Sequence, residues 1–234
     1  MKWTFGISLG SPNYLKQLLN SIVTQNSMSS SDYEIIVVGS KTDEVVSILT
    51  PVAVSGVRLL MVDFDETIKS AWITKKKNII TSIASFDNVC YMHDYVSLHS
   101  NWYDGFTKYG DDWDVCMNPI RRIDGRRFRD WVVPQVWWGN PKYVPYSDSS
   151  LTRQMYVSGT YWCAKKTFMS ENPLDENRCW GHGEDIEWSA RCRSKWNYKL
   201  NTFSVVKLLK EKIFNGMIDY SPHPDTDPDK EFVF

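Results

Sequence analysis

Over the first ninety-odd positions, short apolar runs alternate with stretches of helical spacing. Trp3 to Leu9 is a partly β-branched and aromatic run, broken by Gly10-Ser11-Pro12-Asn13, which predicts a strand followed by a loop. Tyr14 to Gln25 then places Leu15, Leu18, Leu19, Ile22 and Val23 on one side of a helix. Tyr33 to Val38 predicts a second strand that stops at Gly39. Asp43 to Leu49 reads as a short helix before Pro51, and Val57 to Val62 as a third strand. Ile68 to Ala84 reads as a helix with a basic stripe at Lys75, Lys76 and Lys77, and Val89 to Met92 as a fourth strand. Alternating strands and helices imply βαβ units and a mainly parallel sheet of Rossmann type. Strands this apolar are covered on both faces. Such α/β sheets bind ligands beyond the carboxyl ends of their strands. That singles out two loops, Gly10 to Asn13 and His93 to Tyr95.

The second half has a weaker rhythm. Asn118 to Ser150 is rich in Arg, Trp, Tyr, Pro and Gly with little periodicity, the mark of a long functional loop. Tyr156 to Ala164 predicts a strand. Ile186 to Lys195 predicts a helix, preceded by Gly181-His182-Gly183-Glu184-Asp185. Val205 to Phe214 reads as a further helix, and the Pro-rich, acidic tail from Ser221 to Lys230 as irregular chain.

Length and composition narrow the class. A chain of 234 residues favours one domain, and 42% hydrophobic against 24% charged residues is the balance of a folded protein, not a disordered one. A net charge of −1 gives no bulk attraction to nucleic acid or membrane. The five arginines between Arg121 and Arg129 lack the helical regularity of a nucleic-acid surface. No apolar run approaches the ~20 residues of a membrane span. Trp3 to Leu9 lacks the cleavage site of a signal peptide, so the expected location is cytoplasmic. Five cysteines with no CxxC pair argue for reduced structural thiols over zinc or disulfides. The 11 tryptophans suit stacking on sugar rings and core packing equally.

Several segments, taken in order, resemble a GT-A glycosyltransferase, closest to family 2. Phe5-Gly6-Ile7-Ser8-Leu9-Gly10-Ser11-Pro12-Asn13 is similar to that family's first strand and nucleotide loop, and Leu18 to Gln25 to its first helix. Tyr33 to Ser40 is similar to its second strand, with Gly39 and Ser40 standing where acidic residues usually contact the base. Lys76-Lys77-Asn78 occupies the place of a basic-Asn pair near the nucleotide. Cys90 to Val96 occupies the strand and metal loop, with His93-Asp94-Tyr95 in place of Asp-x-Asp. Gly183-Glu184-Asp185 through Arg191 resembles the acidic catalytic segment.

The resemblance implies one GT-A domain over residues 1–234: a nucleotide-binding half to 95, an acceptor-binding half over 96–220, and a tail from 221. It also implies transfer from a nucleoside-diphosphate sugar, UDP being the commonest nucleotide in the family, to a glycan or similar hydroxyl acceptor. Leu9, Gly10, Ser11, Gly39, Ser40, Lys77, Asn78, His93 and Asp94 would meet the nucleotide. Asp130, Trp131, Ser158 and Gly159 would meet the acceptor, and Trp137-Trp138 would help to shape its pocket.

A leaving diphosphate develops negative charge that Mn²⁺ or Mg²⁺ can neutralise. These ions favour oxygen ligands, and Mn²⁺ also accepts imidazole. Asp94, His93 and His223 are the candidate ligands; Asp94 could equally hold the ribose. Asp63-Phe64-Asp65 is a competing Asp-x-Asp, placed second because the family's metal loop follows the basic-Asn helix. Inverting transfer needs a carboxylate base within reach of the acceptor hydroxyl. Asp185 is the candidate, with Glu184 orienting it or the acceptor. The same acids could instead only favour a helix N-terminus.

Two other functions fit less well. A sugar nucleotidyltransferase needs a Gly-rich first loop with a nearby Arg and Lys, which Gly10-Ser11-Pro12-Asn13 lacks. A non-catalytic carbohydrate-binding module would use the tryptophans, but most are all-β. No Walker loop, GxSxG or HExxH occurs.

Overall fold

The computed structural model describes residues 1–134, 141–214 and 217–218. Its centre is a sheet whose strands are, in chain order, β1 (Trp3–Ser8), β2 (Tyr33–Gly39), β3 (Arg58–Asp63), β4 (Asn88–His93), β6 (Val115–Met117), β10 (Tyr161–Lys165) and β11 (Tyr198–Leu200). They lie side by side as β11-β6-β10-β4-β1-β2-β3. β1 to β4 are mutually parallel, whereas β10 runs antiparallel to both β4 and β6. Order reverses at β1, which has β2 on one side and β4 on the other. That reversal opens a crevice at the carboxyl ends of β1 and β4.

Helices α1 (Leu15–Val23), α2 (Asp43–Ala53) and α3 (Ile73–Ile83) make the crossovers. Leu15, Leu18, Leu19 and Ile22 bury one stripe of α1, as their spacing predicts. α3 lies so close to β1 that a Cβ on Gly6 would come within 2.4 Å of the Ile80 side chain. α4 (Trp102–Tyr109), α5 (Lys166–Glu171) and α6 (Glu184–Cys192) complete the helices. A second sheet sets β5 (Val96–Leu98) and β7 (Ile120–Arg121) on either side of β12 (Val206–Leu208). The short pair β8 (Val132–Val133) and β9 (Lys142–Tyr143) lies in the long loop. A final pair joins β13 (Ile213–Phe214) to β14 (Met217–Ile218).

Three local expectations need correction. Val205 to Phe214 is not a helix: Val206 to Leu208 pairs with β5 and β7, and Ile213 with Ile218. Burial of Val206 and Leu208 with Lys207 exposed is a strand's period of two. α3 starts at Ile73, not Ile68, because Ala71 takes a left-handed φ of 52° just before it. α2 runs past Leu49 to Ala53, with Pro51 inside its last turn, where the missing N–H forfeits a single helical bond.

The aromatic residues are largely core. Trp3 packs against Trp102, Phe106 and Trp113, and Trp162 against Tyr91 and Trp188. All five cysteines are free and buried. Beneath the sheet's amino end, the fully buried carboxylate of Glu34 on β2 accepts from Thr4 Oγ1 (2.6 Å), from Ser85 N (2.5 Å) and from the half-exposed Arg58. One side chain thereby ties β1, β2, β3 and the turn after α3. Glu34→Ala leaves the Thr4 and Ser85 donors unpaired and is expected to cost about 3 kcal/mol. Arg58→Ala, at a solvent-screened position, is expected to cost under about 1 kcal/mol. Urea unfolding of both variants checks this, and equal losses would contradict it.

Candidate functional site

The crevice is built outward from three strand ends. β1 ends at Ser8, and the chain turns through Leu9, Gly10 and Ser11. β4 ends at His93, and Asp94 follows. The carboxylate of Asp94 folds back over the first loop: its Oδ2 accepts from Gly10 N at 2.6 Å and from Ser11 N at 2.5 Å. Burial pushes the Asp94 carboxyl up, partly offset by these two N–H groups and by Lys210 and Lys76. Among the described residues its Oδ1 accepts no hydrogen bond. Gly39, at the end of β2, is pressed against Leu9, whose Cβ would lie 2.6 Å from any Cβ placed there. Ser40 follows it, exposed at the rim.

The third contribution is the chain leading into β10. Because β10 is antiparallel, its beginning lies at the edge where β1 and β4 finish. His93 N donates to Thr160 O at 3.0 Å. Gly159 lies between two charged side chains. Its N–H donates to Asp185 Oδ2 at 2.8 Å, and its carbonyl accepts from Lys77 Nζ at 2.7 Å. A Cβ on Gly159 would sit 2.9 Å from Asp185 Oδ2 and 3.0 Å from Glu184 Oε1. Ser158 is buried just before it. The residues expected at the nucleotide loop, the metal loop, the acceptor side and the acidic segment are thus joined by hydrogen bonds into one site.

Asp185 and Glu184 start α6. Gly181 (φ 84°) and Gly183 (φ 62°) take left-handed conformations just before it, which glycine adopts at no steric cost. Asp185 Oδ1 also accepts from Ile186 N at 2.9 Å. Glu184 is 5% exposed. Burial first, then the charge of Asp185, pushes its carboxyl up to about 7.

The basic stripe of α3 is not a solvated face. Lys77 is fully buried beneath Gly159, its ammonium 4.2 Å from the centre of the Trp162 ring. Burial holds it down to about 8 against the pull of Glu184 and Asp185. Lys76, also buried, donates to Leu9 O at 2.6 Å and pairs with Glu66. Lys75 reaches Glu176 at 2.9 Å. Asn78 turns the same way: it donates to Leu174 O and Glu176 and accepts from Leu174 N.

Asp130 and Trp131 are held from within the long loop. Asp130 is fully buried and accepts from Ile120 N, Trp131 N, Arg127 and the Tyr146 hydroxyl. Trp131 is 1% exposed, its indole donating to Asp148 O at 2.9 Å. Both hold the long loop together. Asp63 accepts from Lys41 N, and Asp65 caps its own turn at Thr67. Trp137, Trp138 and His223 lie outside the described residues.

Thr160, Lys210 and Lys212 belong to the site but carried no sequence signal. Lys212 Nζ donates to Thr160 Oγ1 at 2.9 Å. Lys210 and Lys212 approach the Tyr95 ring to 4.1 and 5.0 Å, and that ring stacks on His93 at 5.2 Å. Burial, then Lys77 and Lys212, hold the His93 imidazole well below its ordinary range and hence neutral. Both reach the same ring; reading the segment as helix set residues 210 and 212 on different sides.

For a divalent cation, the described residues contain no group of three or more His, Cys, Asp or Glu close enough to form a cage. The hard oxygen donor at the expected place is Asp94 Oδ1, with the neutral His93 beside it.

The raised carboxyl of Glu184 has a consequence for stability. An acid whose folded pKa exceeds its ordinary 4.5 favours the folded state while protonated. Stability is therefore expected to fall as pH rises from about 4.5 through about 7, by ~3 kcal/mol at most. Glu184→Gln should flatten this fall, measured as urea midpoints at pH 5 and pH 8; an unchanged slope would contradict it.

No protein-family model matches this sequence, and no curated protein matches it. Solved structures do. TarS of S. aureus (residues 1–349, in complex with UDP-GlcNAc) is 15% identical, with a TM-score of 0.63 over 91% of this chain and 60% of that one. The same protein with UDP gives 0.63 over 89% and 61%. GalNAc-T7 with UDP, GalNAc and Mn²⁺ is 13% identical, with a TM-score of 0.67 over 95% of this chain and 46% of that one. The chain thus spans about half to three fifths of the length of these neighbours. No described helix is long and apolar enough to cross a membrane. With its mainly parallel sheet, its order reversal at β1 and this structural likeness, the chain has the GT-A fold.

Proposed function

We propose that this protein is a glycosyltransferase that moves a sugar from a nucleoside-diphosphate sugar, UDP-linked in the first instance, to a hydroxyl of a glycan or related acceptor, with inversion. The observation that carries this reading is the convergence of Asp94, the Gly10-Ser11 loop and Asp185 on the crevice where strand order reverses. Neighbours of the same fold were solved with UDP or UDP-GlcNAc.

In this reading residues 1–95 receive the nucleotide and 96–220 the acceptor. Asp185 takes the proton from the acceptor hydroxyl as its oxygen bonds to the anomeric carbon. The bond from that carbon to the diphosphate breaks on the opposite face, and the nucleoside diphosphate leaves with the electron pair. The Gly159 N–H fixes the rotation of the Asp185 carboxylate. Glu184 orients the acceptor through its carboxyl. Asp94, its Oδ2 held by the Gly10 and Ser11 N–H groups, keeps Oδ1 for the nucleotide. Mn²⁺ or Mg²⁺, when bound, supplies positive charge to the diphosphate, with Asp94 Oδ1 as the described oxygen ligand and His93 and His223 as candidate nitrogen ligands. GalNAc-T7 was solved with Mn²⁺.

Calorimetric titration with UDP, GDP and dTDP, in Mn²⁺ and then in EDTA, tests the reading. One nucleotide is expected to bind, and binding of none would remove it in favour of a carbohydrate-binding role. Asp185→Asn is expected to lower transfer by at least about 10²-fold while sparing nucleotide affinity; retained turnover would take the base role from Asp185. Asp94→Ala is expected to weaken nucleotide binding about tenfold or more, and unchanged affinity would move attention to Asp63 and Asp65.

A further inference from the structure

We propose that Lys77 is a positioning residue for the acid pair: through Gly159 it holds the N–H that aims Asp185, and it sets its positive charge against both acids. The proposal rests on the reading of Asp185 as base and adds the group that readies it.

Residue 159 needs a tether because it cannot hold itself. A Cβ there would meet Asp185 Oδ2 at 2.9 Å and Glu184 Oε1 at 3.0 Å, so a side chain would displace the acids. Glycine has the widest choice of backbone angles, and only its surroundings fix the direction of its N–H. Lys77 Nζ holds the Gly159 carbonyl at 2.7 Å, and Thr160 O takes the His93 N–H at 3.0 Å. Held in this way, the Gly159 N–H meets Asp185 Oδ2 at 2.8 Å. The lysine is itself fixed in place. Its ammonium lies 4.2 Å from the centre of the Trp162 ring, and that ring packs against Tyr91 and Trp188.

A neutral donor would satisfy the same carbonyl without the cost of burying an ammonium group. Lys77 is fully buried and carries that cost. The acids its charge faces are Glu184 and Asp185. Among the described residues, the other titratable groups around this cluster are Lys212 after β12, the neutral His93 at the end of β4, and the Tyr95 hydroxyl. Burial drives the Glu184 carboxyl up, and Lys77 ranks before Lys212 among the positive charges that oppose it. The lysine therefore favours the ionised form of the acid cluster, the form that can accept a proton.

The test is Lys77→Met, which removes the ammonium and keeps an unbranched apolar stem. Carbon-13 titration of the Glu184 carboxyl, assigned with Glu184→Gln, is expected to show a midpoint about one pH unit higher than in the unsubstituted protein. UDP affinity is expected to stay the same. UDP release from UDP-GlcNAc should fall about tenfold or more, with the acid limb of its pH profile moved upward. Lys77→Gln keeps a donor for the Gly159 carbonyl but no charge. It should move the Glu184 midpoint as Lys77→Met does, and it carries the test if Lys77→Met does not fold. An unmoved midpoint in a folded variant would overturn the proposal, as would undiminished UDP release with an unchanged acid limb. Loss of UDP affinity with an unmoved midpoint would also overturn it, placing Lys77 against the nucleotide instead. If the unsubstituted protein binds none of UDP, GDP and dTDP, the transferase reading falls, whereas a moved midpoint would still establish the hold of Lys77 on the acids.

Discussion

The site depends on one residue. Gly159 gives its N–H to Asp185 and its carbonyl to Lys77, so a single residue with no side chain sets the spacing between a carboxylate from α6 and an ammonium from α3. The Lys77 charge could not be buried alone at reasonable cost. Lys77 is fully buried, and its compensation is that carbonyl, the Trp162 ring and the two acids beyond. Any larger residue at 159 would meet the acid pair directly. From this residue the order spreads: Thr160 takes up the His93 backbone on one side and Lys212 on the other.

The direction of β10 makes that possible. Six strands of the main sheet deliver or receive chain in the ordinary α/β manner, but β10 begins where β1 and β4 end. Its leading residues therefore bring both a donor and an acceptor from the same peptide chain to the crevice. Helix α6, which supplies the acids, opens at the same place through two left-handed glycines. A carboxylate pair at a helix start is stabilised by the N–H groups there, yet burial still holds Glu184 partly protonated near neutrality.

Much of this was legible in the chain. Strands β1 to β4 and helix α1 follow from apolar runs and their periods, because each buries a face against the same core. The loop after β1, Asp94 and the Glu184-Asp185 pair were readable from their order along the chain. Three kinds of fact were not. The antiparallel sense of β10 has no local signature, since its run Tyr161-Trp162-Cys163-Ala164 is apolar throughout. Asp130 looked like a binding acid because an exposed and a buried aspartate read alike; its partners come from Ile120, Arg127 and Tyr146. And Val205 to Leu209, two apolar pairs around Lys207, is too short for helix and strand templates to be told apart, which hid the shared approach of Lys210 and Lys212 to Tyr95.

The sequence distances spanned by these bonds have a bearing on how the protein folds. Gly10 reaches Asp94 across 84 positions, and Lys77 reaches Gly159 across 82. Contacts of such high order form late, after the loops between them have paid their closure entropy. Chain emerging from a ribosome would bury β1 to β4 while the Lys77 ammonium still lacked its carbonyl, and the charge would stay hydrated until the β10 segment arrived. Completion of the crevice and final consolidation of the core are then one event, so a chain that has not finished folding would have no partly assembled crevice.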